Sequence, residues 1–115
     1  MLHEALFIAL TQHKGRGVFT RMALAENTII EVAPVLVANA AERLLLEQTF
    51  LFNYIFSWGY DDHQAAVGLG YSSIYNHSSP SNCEYVLNFE AETISIITMR
   101  NIAADEELTI NYSTT

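Results

Sequence analysis

Short apolar runs in two-residue alternation, each broken by Gly, Pro, Asn or Asp, cover most of the chain and predict strands more often than helices. LFIAL at Leu6–Leu10 predicts a first strand, and residues 12–19, QHKGRGVF, predict a Gly-punctuated turn running into a second. Gly15 and Gly17 there can take positive φ or let another chain or a ligand come close. No helix follows them directly, which excludes a dinucleotide-binding phosphate turn. Residues 28–32 and 35–37 predict two strand segments separated at Pro34, whose missing donor favours a sheet edge or a strand start. Asn39 is placed to cap a helix over residues 40–47, with Glu42 closing a capping box and Leu44, Leu45 and Leu46 forming an apolar face.

Residues 50–58, FLFNYIFSW, are aromatic and β-branched and predict a strand, with Asn53, Ile55 and Ser57 on one face and Phe52, Tyr54 and Phe56 on the other. Residues 65–69 predict a short strand ending between Gly68 and Gly70, and residues 84–89 and 93–99 a β-hairpin turning at Glu90, Ala91 and Glu92. A last turn at residues 102–106 precedes a closing strand that runs to Tyr112. With about eight short strands and little helix, the expected class is mainly β and irregular, unlike a regular sandwich.

Composition narrows the partners. The 115 residues are expected to form one domain, and half of them are apolar, enough for a real core. A formal charge of −8 disfavours direct binding to nucleic acid or to anionic membranes and favours a basic ligand. The one cysteine, Cys83, permits no intrachain disulfide and no cysteine-based zinc site, and predicts a small buried thiol. Asp61, Asp62 and His63 are neighbours in sequence that rarely converge on one ion, so a solvated loop and no metal site are expected. The first residues lack a basic stretch and a long apolar run, which argues against a secretory signal.

Three stretches carry chemistry together. Residues 15–19 read GRGVF, residues 68–82 read GLGYSSIYNHSSPSN, and residues 105–112 read DEELTINY. In order and spacing they resemble the motifs of SET-domain protein-lysine methyltransferases, of the minimal viral and bacterial type, over about residues 13–113. The resemblance implies a fold of small curled sheets with a C-terminal pseudoknot, S-adenosylmethionine as methyl donor and a lysine side chain of a histone-like or other basic protein as acceptor. It places Lys14, Gly15, Arg16, Gly17, Asn76 and His77 at the cofactor, and Tyr112 where the methyl group passes. It also implies a cytoplasmic or nuclear setting, or a host nucleus for an effector.

Methyl transfer to an amine is an in-line displacement that needs alignment, a dry channel and a neutral amine. Tyr54, Phe56, Tyr71 and Tyr75 are the aromatic candidates for that channel, since ring faces attract cations while ring bodies exclude water. Many family members carry an aromatic residue two positions beyond the catalytic tyrosine, where Thr114 stands here, and a C-terminal element that closes the channel. A homodimer in which a second copy supplies that wall is therefore expected. The competing expectation is a SET-fold peptide-binding module with weak or no turnover.

Overall fold

The computed structural model describes residues 1–112. Its elements follow in the order β1 (Leu6–Leu10), β2 (Arg16–Thr20), β3 (Ile29–Ala38), helix α1 (Ala40–Leu46), a 3-10 turn (Phe50–Tyr54), β4 (Ile55–Trp58), β5 (Gln64–Gly68), β6 (Asn76–His77), β7 (Cys83–Asn88), β8 (Thr93–Thr98) and β9 (Glu107–Ile110). They form a five-stranded sheet ordered β4-β5-β3-β8-β7 and a four-stranded sheet ordered β1-β2-β9-β6. The predicted mainly β class holds.

Alternation decides which side of each strand is buried. Ile94 and Ile96 of β8, Leu108 and Ile110 of β9, and Val18 of β2 are sealed from solvent, while the residues between them are half-buried. These side chains join Leu6, Ile30, Trp58, Tyr75 and Ile102 in one core that spans both sheets. The core is where β9, last in the chain, is committed to its place. It lies antiparallel to β2 and parallel to β6, with Asn76 opposite Thr109 and His77 opposite Ile110.

β3 is one strand and not the two segments expected. Its first part, residues 29–34, pairs with β8, and its second, residues 35–38, pairs with β5. Pro34 sits at the handover between partners, where its missing N–H breaks no ladder, and its carbonyl accepts from Leu69 N at 3.0 Å. A bulge between Ile29 and Glu31 shifts the register, so that Ile30 and Glu31 are both buried although adjacent.

The capping box at α1 is present as predicted: Asn39 Oδ1 accepts from Glu42 N at 2.8 Å, and Glu42 Oε1 accepts from Asn39 N at 2.9 Å. The predicted apolar face is not covered, however. Leu44 and Leu45 are 63% and 65% exposed, and no residue of the helix is buried. The helix is instead pinned by Arg43, whose guanidinium donates to the carbonyls of Asp62 and Gln64 and to Ser57 Oγ. Residues 50–58 also differ from expectation, because Thr49 caps a 3-10 turn by accepting from Leu51 N at 3.2 Å and only residues 55–58 are extended.

Candidate active site

The parallel pairing of β6 with β9 assembles the site. It carries Tyr112, just beyond β9, back against His77, whose Nδ1 accepts from Tyr112 N at 3.0 Å. That bond leaves the imidazole proton on Nε2 and stacks the two rings at 5.2 Å in a tilted arrangement. The Tyr112 hydroxyl donates to the Tyr75 carbonyl at 2.5 Å, and Tyr85 donates its hydroxyl to the Tyr112 carbonyl at 3.3 Å. Tyr112 is thus held at both ends while 48% exposed. Partial burial, with Tyr54 and Glu107 nearby, pushes its phenol above the usual range, so the group is a neutral phenol at physiological pH.

On one side of Tyr112 lies the Gly-x-Gly turn. Asn76 Nδ2 donates to the Arg16 carbonyl at 3.0 Å and to Glu107 Oε2 at 2.8 Å. Lys14 Nζ donates to the His77 carbonyl at 2.6 Å. The turn and the Asn-His pair, far apart in sequence, are therefore one clamp. Gly15, at φ 69°, faces open space, whereas a Cβ on Gly17 would overlap Glu107 Oε2 and press on Asn76 Nδ2. Lys14 and Arg16 are two of only five Lys and Arg residues in a chain of net charge −8. An open glycine beside two exposed cations and the Asn-His pair fits the amino-acid end of S-adenosylmethionine, with its carboxylate.

On the other side of Tyr112 is a cavity of about 320 Å³. Its walls include Tyr54, Phe56, Tyr75, Tyr85 and Leu87, with Ser72 and Ser73 as polar lining. Phe56 and Tyr85 meet edge to face at 5.4 Å. Of the four aromatic residues expected in the channel, Tyr54 and Phe56 line the cavity with their neighbours on both sides, because the 3-10 turn abolishes strict alternation there. Tyr75 also borders it, but its side chain is 1% exposed and its hydroxyl donates to buried Glu31. Tyr71 does not reach the cavity: it lies in a separate groove beside Met1, Leu2 and Gly70. Tyr85 and Leu87 were missed, although β7 alternation places them on the inward face opposite Ile96 and Ile94. Thr114 lies outside the described residues.

A SET-domain family model matches residues 15–113. A histone-lysine N-methyltransferase of Schizosaccharomyces pombe, specific for H3 lysine-37, is 34% identical over 113 residues, covering 97% of this chain and 76% of that protein. In three dimensions, a provisionally assigned histone methyltransferase of Plasmodium falciparum superposes with a TM-score of 0.75 at 21% identity, over 99% of this chain and 97% of its own. The likeness in structure shows the SET fold. With the motif order and the sequence relationship, it establishes that the chain belongs to the SET-domain family of protein-lysine methyltransferases.

Proposed function

We propose that this protein acts as a single SET domain that methylates a lysine side chain of a basic, histone-like protein segment, using S-adenosylmethionine. The observation that carries the reading is the placement of Tyr112 between the Lys14–Gly17 and Asn76–His77 clamp and the aromatic cavity. Lys14, Gly15, Arg16, Gly17, Asn76 and His77 would hold the cofactor, which when bound supplies a methyl carbon on a sulfonium open to in-line attack. Tyr54, Phe56 and Tyr85 receive the alkyl chain of the lysine and exclude water from it. An apolar wall favours loss of the amine's proton from its ordinary pKa of ~10.4, which frees the nitrogen lone pair.

Because the Tyr112 hydroxyl spends its proton on the Tyr75 carbonyl, its oxygen lone pairs remain to accept an N–H from the incoming amine. In this reading Tyr112 aligns the amine; its raised pKa makes it a poor resident base. The setting is nuclear or cytoplasmic, where histone-like segments occur. A second copy closing the cavity from outside is supported by Phe52, which lines the cavity and is exposed, and by exposed Phe50 in the same turn.

Incubation with labelled S-adenosylmethionine and an H3 peptide spanning lysine 37, alongside whole histones, tests the activity. Transfer by the wild type and a fall of about 100-fold in Tyr112→Phe are expected. Equal transfer by the variant would remove Tyr112 from the mechanism. Calorimetry with S-adenosylhomocysteine separates the enzyme from a peptide-binding module, since a module would bind peptide and not the cofactor product.

A further inference from the structure

Among the described residues Glu31 is the one acidic side chain sealed in the core, at 2% exposure, and nothing in the methyl-transfer reading uses it. It lies in phase with buried Ala33 and Val35 on the inward face of β3, and the bulge between Ile29 and Glu31 lets Ile30 be buried beside it. Once there, its two carboxylate oxygens accept from two donors on one short segment: Oε1 from the Tyr75 hydroxyl at 2.8 Å and Oε2 from Tyr71 N at 2.8 Å. Gly70 lies against the same carboxylate, and a Cβ there would collide with Oε2. Residues 70–75 are therefore wrapped around Glu31. The segment ends on the Tyr75 carbonyl, which accepts the Tyr112 hydroxyl.

We propose that Glu31 is a positioning residue for methyl transfer, anchoring residues 70–75 so that the Tyr75 carbonyl orients the Tyr112 hydroxyl. This rests on the reading of Tyr112 as the residue that aligns the amine. A buried carboxylate without an ion pair is expensive, and an apolar residue of similar size at that place would stabilise the core more. Its desolvation raises its pKa, with the two donors pulling the other way. The Tyr75 phenol is pushed up in turn, first by burial and then by the Glu31 charge, so it stays protonated and remains a donor to Glu31. Two side chains and one carbonyl thus connect the centre of the five-stranded sheet to the reacting end of Tyr112.

The test is a set of cycles among Glu31→Gln, Tyr75→Phe and Tyr112→Phe, each measured for kcat, peptide KM, S-adenosylhomocysteine affinity and thermal midpoint. Glu31→Gln keeps one acceptor for Tyr71 N but faces the Tyr75 hydroxyl with an amide N–H. Its kcat is expected to fall by about 10-fold, while KM and cofactor-product affinity, which depend on other residues, hold. Tyr75→Phe should fall similarly, and the two together no further than either alone, because they break one shared bond. In the Tyr112→Phe background Glu31→Gln should change kcat less than twofold, since nothing remains to be positioned.

A fall of equal size in that background would show a general structural role and overturn the proposal. So would a slow Tyr112→Phe beside Glu31→Gln and Tyr75→Phe at full rate. Tyr112→Phe at full rate would instead overturn the reading of Tyr112 itself. Should Glu31→Gln not fold, the Tyr75→Phe and Tyr112→Phe pair decides by the same criterion.

Discussion

Asn82 offers the sharpest test of how β9 is held. It is 5% exposed, and its amide group has all four hydrogen-bonding positions filled. Nδ2 donates to Glu106 Oε2 at 3.0 Å and to the Glu107 carbonyl at 2.8 Å, while Oδ1 accepts from Thr109 N at 2.8 Å and Thr109 Oγ1 at 3.3 Å. Asn82→Ala leaves Thr109 N and the Glu107 carbonyl without partners. Each such group costs about 1–3 kcal/mol if water cannot reach it. Thr109 and Glu107 are both half-buried, so the lower half of that range applies to each, and a loss of about 2–4 kcal/mol is expected. For a domain of this size that lowers the thermal midpoint by about 10–20 °C.

Asn82→Asp sharpens the case, because it preserves shape and keeps the acceptor for Thr109. It replaces two N–H donors with lone pairs facing a carboxylate and a carbonyl. Two carboxylates ~4 Å apart repel by about 4 kcal/mol at an effective dielectric of about 20, and Arg100, paired with Glu106, offsets part of it. The introduced carboxyl should therefore destabilise at pH 7 at least as much as alanine does. Because repulsion raises its folded pKa, the penalty should shrink as pH falls through that raised value and be smallest below the ordinary carboxylate range. Urea titrations at pH 7 and pH 4.5 measure both. Asn82→Ala within 1 kcal/mol of wild type, or Asn82→Asp matching it at pH 7, would refute the bond-by-bond reasoning.

Gly17→Ala should weaken S-adenosylhomocysteine binding by about 10-fold or more, as its methyl displaces Asn76 and Glu107 from the clamp; calorimetry reads it. The Glu106 carboxyl is held below the usual range, chiefly by its hydrogen bond to Arg100. Wild type should therefore be more stable than Arg100→Ala above the ordinary carboxylate pKa. The gap should close as pH falls through the lowered value, which melting curves from pH 7 to pH 3 would follow. Asn39→Ala should cost about 1 kcal/mol, and hydrogen exchange should show the loss as faster opening of α1, which buries no side chain of its own.

What could be seen in the sequence and what could not divide along a physical line. The capping box and the hairpin of β7 and β8 depend on residues within a few positions of each other, and each was found where expected. The burial of Glu31, the position of Pro34 within β3 and the roles of Tyr71 and Tyr85 depend on which distant strand pairs with which. Tyr71 was expected in the channel because it flanks the region that the resemblance assigns to substrate. The turn over residues 70–75 places Tyr71 in a separate groove beside Glu31, to which its N–H donates. Tyr85 stands outside any motif, yet β8 positions it against the cavity.

The aromatic run at residues 50–58 failed for a different reason. Its side chains satisfy a strand or a tight helical turn equally, and the deciding bond is the single cap from Thr49. Glu31 shares the inward face of β3 with Ala33 and Val35, and the bulge in the β3–β8 register buries Ile30 beside it, so the place of the acid follows from strand pairing and not from its own residue type. A buried acid on the inward face of the strand, with both oxygens taken by one segment of the site, is a feature that core stability alone would select against. The physical reason to retain it lies at the other end of that segment, at Tyr112.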